Sequence, residues 1–274
     1  MMIAEPSIAF NNVAKTYDHT FTFSSIGSKQ RERVHYFLLK YLSTSPSKIL
    51  EINCGTGEDA LYLASLGHSV SASDNSAEMI NISEDKKSKG FYSPNLNFQQ
   101  SSFNSLNKKY RNQKFDFVFS NFGGLNCVDQ KELKYLSSQL YSLLNKEGKL
   151  VVVVMGTNCL WEQVYFLLKA KFSNAFRRKN KEGVMASVGD QHQKTFYYTP
   201  SEIKQIFNNY FTCEAIHPIG FFLPPSYLQP FFQKNKTLLR VFSFLEKKIH
   251  FSFLSNYADH YMAVFKSNNN SLSG

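Results

Sequence analysis

The residues best suited to chemistry cluster at Glu51-Ile52-Asn53-Cys54-Gly55-Thr56-Gly57-Glu58-Asp59. Lys48–Asn53 is a short apolar run that reads as a buried strand ending in a glycine turn. Asp59–Leu66 follows with helical spacing at Ala60, Leu63 and Ala64. Strand, glycine turn and helix in that order make a cradle for a nucleotide-like ligand. Gly55-x-Gly57-x-x-Ala60 also satisfies the dinucleotide fingerprint, whose last position tolerates Ala. The neighbouring charges point elsewhere. A pyrophosphate needs a free helix N-terminus, whereas Glu58 and Asp59 fill the first turn. Two carboxylates there would repel a diphosphate. They would favour a cationic ligand, or simply complement the helix dipole. Glu51 adds a further anion at the strand end. S-adenosylmethionine carries a sulfonium and an ammonium and no phosphate, so local charge favours it over a nicotinamide dinucleotide.

Other candidates sit at the ends of later strands. Seventeen residues past Gly57, the strand Ser69–Asp74 ends in an acid able to accept hydrogen bonds from two ribose hydroxyls. Its structural alternative is a helix cap, since Asp74-Asn75-Ser76 precedes a helix over Ser76–Lys89 that Gly90 stops. A third strand, Leu96–Gln100, runs into Ser101-Ser102-Phe103. A fourth, Phe115–Ser120, runs into Asn121-Phe122-Gly123-Gly124-Leu125-Asn126-Cys127, where two glycines permit close backbone approach. An amphipathic helix over Glu132–Leu144 and the very apolar strand Leu150–Met155 complete an alternation that implies a parallel sheet covered on both faces.

The Glu51–Gly57 segment resembles motif I of the small-molecule class I S-adenosylmethionine-dependent methyltransferases, acid-x-Gly-x-Gly-x-Gly. Glu51, Gly55 and Gly57 match it. Asn53 stands at the first Gly; Asn tolerates left-handed backbone better than most residues, so the turn is expected to survive. The resemblance implies an α/β fold: a Rossmann-like, doubly wound seven-stranded sheet with an antiparallel last strand, an N-terminal helical lid and a cap inserted in the C-terminal half. It implies S-adenosyl-L-methionine as cofactor and S-adenosyl-L-homocysteine as product. Glu51, Asn53, Gly55 and Gly57 would form the cradle, and Asp74 would hold the ribose. Asn75 and Met79 would flank ribose and adenine. Ser102 stands where many members have an Asp that bonds the adenine amino group, and Phe103 packs on the adenine or in the core. Asn121 lies beside the methionine moiety. The lead-in Phe10-Asn11-Asn12-Val13-Ala14-Lys15-Thr16-Tyr17-Asp18 resembles the family's aromatic…Ala…Tyr-Asp segment, which makes Tyr17 a candidate for the cofactor's carboxylate end. Arg31 and Arg33 could also reach a carboxylate, with surface placement the preferred reading.

This frame divides the chain into a lid (1–45), a cofactor-binding core (46–156), a substrate cap with late core elements (157–258), a closing strand (259–266) and a disordered tail (267–274). Within the lid, Ser28–Leu42 reads as a helix. Within the cap, Leu160–Phe176 and Leu238–Leu254 read as helices, Arg177–Lys194 as a polar break, and Thr199-Pro200-Ser201-Glu202 as a helix start. Phe211–Ile219 and Tyr261–Lys266 read as strands. Aromatic residues crowd the cap, among them Phe196, Tyr197, Tyr198, Phe221 and Phe222, and suggest a flat or greasy acceptor or simply a packed cap. Asn126, His192 and Tyr197 are the substrate-side candidates. His19 or His192 could serve as a base, but direct displacement can run on positioning alone, and no catalytic residue is assigned.

Composition bounds the partners. With 43% hydrophobic and 19% charged residues, the 274-residue chain can bury a substantial core. No run approaches the ~20 apolar residues of a membrane span. The first ten residues lack a basic, apolar leader. The four cysteines form no C-x-x-C pair, and no clustered carboxylates suggest a metal. A reducing, cytoplasmic setting is expected. The net charge of +10 concentrates after residue 150, with 14 basic against 7 acidic residues. A small-molecule acceptor is preferred over an RNA or protein acceptor, which the basic half would support. Nucleic-acid bases are disfavoured, because Asn121-Phe122-Gly123-Gly124 lacks the proline motif of base-amino methylation and no Pro-Cys occurs. A nicotinamide oxidoreductase using the same glycine turn is a weaker reading, opposed by Glu58 and Asp59. Asn53 and Ser102, as departures from the family pattern, leave room for a non-catalytic binding module on the same fold. Arg240, Lys247, Lys248 and His250 beside Phe242, Leu245, Ile249 and Phe253 allow weak contact with an anionic membrane, with a packed cap helix preferred.

Overall fold

A computed structural model of the chain describes residues 7–90 and 95–268. Seven strands form one sheet: β1 Lys48–Glu51, β2 Ser69–Asp74, β3 Leu96–Gln100, β4 Phe115–Ser120, β5 Leu144–Met155, β6 Phe211–Ile219 and β7 His260–Ser267. Their spatial order is β3-β2-β1-β4-β5-β7-β6. β1 to β5 run parallel, and β7 lies antiparallel between β5 and β6. The chain reverses direction across the sheet between β1 and β4, which opens a crevice at the carboxyl ends of those strands. Glu51 stands opposite Ala72 on one side and Phe119 on the other, so the ends of β1, β2 and β4 share one edge.

Side-chain alternation explains the double cover. Along β5, Leu150, Val152 and Val154 face one core while Val151 and Val153 face the other. The first core is closed by α5 (Gln130–Leu143), through Leu133, Leu136 and Leu140, and by α7 (Pro200–Phe207), through Ile203, Ile206 and Phe207. The second is closed by α2 (Ser25–Leu38) and α3 (Glu58–Ser65), through Val34, Phe37, Leu38, Ala60, Leu61 and Leu63. α1 (Ser7–Tyr17) and α4 (Ala77–Lys89) complete the amino-terminal half, and α6 (Leu160–Leu168) and α8 (Lys236–Lys248) form the outer cap.

Several boundaries differ from the sequence reading. The lid helix begins at Ser25 and ends at Leu38, because Ser24 caps it by accepting from the Gly27 amide. The helix expected over 160–176 stops at Leu168, and Ala170 takes a left-handed φ of 52°. The polar stretch 177–194 contains a hairpin, Val184–Val188 with Gln191–Thr195, turned at Gly189 (φ 59°). The cap helix spans Lys236–Lys248 rather than 238–254. Ser267 ends β7, and the Asn268 amide donates to the Tyr210 carbonyl, so these two residues belong to the sheet edge rather than to a tail. The remainder of the expected tail, 269–274, and the first six residues of the lid lie outside the described residues.

Candidate active site

A cavity of about 450 Å³ opens at the crevice, lined by the turns after β1, β2, β3 and β4 and by α1, α2 and α5. Two left-handed glycines shape its floor, Gly55 (φ 53°) and Gly57 (φ 82°). A Cβ on Gly57 would come within 2.8 Å of both Phe98 Cζ and Ser83 Oγ, so only glycine fits. Asp74 splints this turn. One carboxylate oxygen accepts from the Gly55 amide and the other from the Ser76 amide, each at 2.9 Å. Ser76, not Asp74, caps α4, which leaves the Asp74 carboxylate facing the cavity. Burial raises its pKa, and the amide bonds partly offset this.

Asn53 does not use left-handed backbone. Its side chain instead joins two loops: Nδ2 donates to the Asn121 carbonyl at 2.6 Å, and Oδ1 accepts from Ser120 Oγ at 2.5 Å. Gly124 packs directly on it; a Cβ there would lie 2.3 Å from Asn53 Cγ. The residue that departs from motif I thus ties the β1 turn to the β4 loop.

Charge is arranged differently from the sequence expectation. Glu58 pairs with Lys86 at 2.6 Å, and Lys86 also holds Asp18 at 2.6 Å. Asp59 pairs with Arg31 of α2, takes His35 Nε2 at 2.7 Å on one oxygen and Asn121 Nδ2 at 2.9 Å on the other. Burial alone would raise the Asp59 pKa, but Arg31, His35 and Asn121 outweigh it and hold the carboxyl well below its usual range. The first-turn carboxylates are therefore neutralised and do not themselves repel an anion. The uncompensated acid is Glu51. It is 1% exposed, and among the described residues neither of its oxygens has a hydrogen-bond partner. Burial and the Asp59 charge push its pKa well above the usual carboxylate value, and the opposing pull of Arg31 and the Ala60 backbone does not offset them. Glu51 does not line the cavity; it ends β1 just before Ile52, which does. Arg31, expected at the surface, lines the cavity and keeps its buried Nε without a partner among the described residues. Sequence offered one signal for it: Arg31 and His35 are one helical turn apart and grip the same carboxylate.

The remaining cofactor candidates converge. Tyr17, Asn75, Met79, Ser102, Phe103 and Asn121 all line the cavity. Burial pushes the Tyr17 hydroxyl up to about 12. Ser102 Oγ lies 3.2 Å from Ser105 Oγ, and Phe103 both faces the cavity and packs on the first core. Cavity residues the sequence reading passed over include Phe10, Thr56, Cys127 and Glu132. Phe122 carries a left-handed φ of 39° and lines the cavity between Phe21 (5.2 Å) and His260 (5.6 Å), with Arg31 over its ring at 5.2 Å. Strain of this kind concentrates at functional sites.

The substrate-side candidates do not converge. Asn126 is fully buried, and its amide is spent bridging the Met155 backbone and the Phe196 carbonyl. His192 is exposed on the hairpin. Tyr197 is buried under the Arg178 guanidinium, 4.9 Å from its ring centre. None of the three lines the cavity. Arg33 is buried too, but stacks on Phe37 at 4.2 Å away from the cavity, and His19 is exposed.

Arg31 Nε, a buried donor on the cavity lining with no acceptor among the described residues, is a group that the carboxylate of an amino-acid moiety would satisfy. Asp74 presents a carboxylate to the same cavity. Residues 49–148 match a family model described as a methyltransferase domain. No curated protein matches the chain in sequence. Among solved structures, the CcbJ methyltransferase from Streptomyces caelestis is 15% identical, with a TM-score of 0.64 over 96% of this chain and 99% of that one. A DhpI complex with S-adenosylhomocysteine (SAH) is 15% identical, with a TM-score of 0.62 over 98% of each chain. Magnesium protoporphyrin IX methyltransferase from Synechocystis PCC 6803, with bound SAH, is 15% identical, with a TM-score of 0.57 over 89% of this chain and 85% of that one. The matched segment holds the Gly55–Gly57 turn, Asp74, Ser102 and the β4 loop; residues 49–148 are thus a methyltransferase domain, set in the fold of the S-adenosylmethionine-dependent methyltransferases.

Proposed function

We propose that this methyltransferase transfers the methyl group of S-adenosylmethionine to a small aromatic or lipid-like acceptor. The observation that carries the reading is the cavity's lining. Its aromatic residues are Phe10, Tyr17, Phe103 and Phe122. Among the described residues its one basic group, Arg31, is already paired with Asp59. A phosphate backbone would find no free cation among them, and the Asp74 and Glu132 carboxylates would oppose it. A neutral, apolar acceptor meets no such cost. The structural relatives include an enzyme named for a magnesium porphyrin, which is in keeping with a flat acceptor.

The bound sulfonium supplies an activated methyl carbon: the acceptor's lone pair forms the new bond as the carbon–sulfur bond breaks, and its electrons return to sulfur in S-adenosylhomocysteine. The chain's own residues do the positioning. Asp74 and the Gly55–Gly57 turn hold the nucleoside end, Arg31 complements the carboxylate of the amino-acid end, and Ser102 and Phe103 flank the base. The strained Phe122 forms the wall against which the acceptor is oriented.

The test is a methyl-release assay with S-adenosylmethionine against three panels: planar phenols and quinols, RNA, and basic peptides. Turnover confined to the first panel supports the proposal. Turnover on RNA or peptide alone assigns a macromolecular acceptor, which the chain's net charge of +10 would favour.

A further inference from the structure

α6 is built inside out. Its one acid, Glu162, is 1% exposed, while Leu160, Val164, Leu167 and Leu168 form an exposed stripe at helical spacing. Leu168 is 84% exposed and the following Phe172 64%. The inversion is held in place. Glu162 accepts from Arg177 Nε at 2.8 Å and Arg178 Nη2 at 2.9 Å, and Arg178 reaches Asp259 at 2.8 Å. A surface helix ordinarily turns its apolar stripe to the core, and contiguous exposed apolar area marks a contact surface.

α8 continues the pattern. Leu239, Ser243 and Glu246 face inward, and Val241 and Phe244 face solvent. Trp161 of α6 joins the two helices, 5.2 Å from Phe242 and 5.9 Å from Phe232. Charge decides what covers them. Segments 156–181 and 226–254 carry eleven Lys or Arg residues and two carboxylates, Glu162 and Glu246. Both carboxylates are buried, as is Arg178; Glu32 meets Lys247 and Glu202 meets Lys181, and the other exposed lysines and Arg240 leave the outer faces basic and apolar. A second copy would bring like charge against like charge across a two-fold axis. Beside the exposed rings of Phe172 and Phe244, the α6 stripe is aliphatic (Leu160, Val164, Leu167 and Leu168), a surface on which nucleic-acid bases gain no stacking. Basic residues flanking an apolar band fit an anionic lipid surface. No helix among the described residues is long and apolar enough to cross a membrane, so contact would be peripheral.

We propose that the cap formed by α6 and α8 docks on anionic lipid surfaces, inserting Leu168, Phe172 and Phe244 between headgroups that Lys169, Lys171, Arg240 and Lys248 attract.

The intact protein is sedimented with vesicles of phosphatidylcholine alone or mixed with phosphatidylglycerol. Binding to the mixed vesicles only, weakening as salt rises, is expected. Leu168→Glu and Phe244→Glu, both at exposed positions, should each lower partitioning roughly tenfold or more. Tyr135→Glu, at an exposed aromatic outside the cap, should leave it unchanged. Failure of the folded protein to bind mixed vesicles overturns the proposal, as does binding that ignores the cap substitutions. A dimer dissolved by those substitutions, with vesicles ignored, assigns the face to a second copy. Vesicle binding is read without an acceptor, so its outcome is independent of the acceptor proposed above.

Discussion

The Gly55 amide donates to an Asp74 carboxylate oxygen at 2.9 Å, so the acid that ends β2 also holds the turn that follows β1. One side chain thus shapes the floor of the cavity and presents a carboxylate to it. The helix-cap role weighed for Asp74 falls to Ser76, and Asp74 instead anchors the turn while its carboxylate faces the cavity. The second oxygen, bound to the Ser76 amide, fixes the carboxylate's orientation before any ligand arrives.

Arg31 and Asp59 form a buried pair, with side chains 15% and 4% exposed. Arg31→Met leaves Asp59 with His35 and Asn121 but without its full countercharge, and should destabilise the fold by about 2–4 kcal/mol. Adding Asp59→Asn should recover most of that stability. It should not recover cofactor affinity if Arg31 Nε meets the cofactor's carboxylate. Denaturant melts and calorimetry on the two single variants and the double variant separate these effects; affinity restored together with stability would remove Arg31 from the binding role.

Glu51 predicts an unusual pH dependence. Its folded pKa lies above the unfolded value, so its contribution to stability is fully present below the unfolded pKa and is lost as pH rises through the folded one. Cofactor-free protein should therefore lose this contribution as pH rises from mildly acidic values. Glu51→Gln should flatten that part of the profile and stabilise the cofactor-free protein by about 1–2 kcal/mol. Melting curves of the two proteins across pH check this; parallel profiles would contradict it.

Gly124 and Asn53 are a packed pair. Gly124→Ala should cost about 1–3 kcal/mol, because the new methyl meets the Asn53 side chain and must displace it from Asn121 and Ser120. Asn53→Ala should relieve that clash, so the double variant should be less destabilised than the sum of the two. Additive losses in denaturant melts would show that the two loops are not coupled here.

Arg178 is the clamp of the cap. It joins Glu162 and Asp259 and donates to the Gly156 and Asp259 carbonyls. Arg178→Met should cost about 3–5 kcal/mol, since two buried carboxylates lose their common partner. Protease sensitivity should rise first within 157–181. Cleavage rising instead in the β1–β4 core would contradict a role confined to the cap.

The cradle was legible because it is local: an apolar strand, two glycines and a helix within a dozen or so residues, followed by an acid at the end of the next strand. The same holds for the alternation of β1 to β5 with helices. What escaped was set by distant partners. Asn126 resembled a substrate contact in sequence, but its bonds go to Met155 and Phe196, 29 and 70 positions away, and consume its amide. Arg31 resembled a surface residue because its partner Asp59 lies 28 positions on. His192 stands on a hairpin that a polar segment gave no periodicity to reveal. Glu162 looked like an ordinary helical acid, and only the arginines that bury it show α6 to be inverted. The cap's aromatic content did not distinguish a binding wall from a core: Tyr197 and Tyr198 are buried, and no residue of 157–258 lines the cavity.

On this reading the cavity binds S-adenosylmethionine through the Asp74-splinted turn. Calorimetric titration of S-adenosylmethionine and S-adenosylhomocysteine into the intact protein and into Asp74→Asn tests it directly, with circular dichroism confirming that both samples are folded. Micromolar binding of both compounds, weakened about tenfold or more in Asp74→Asn, is the predicted result. Absence of binding by the folded wild-type protein, or affinity unchanged in Asp74→Asn, would contradict it.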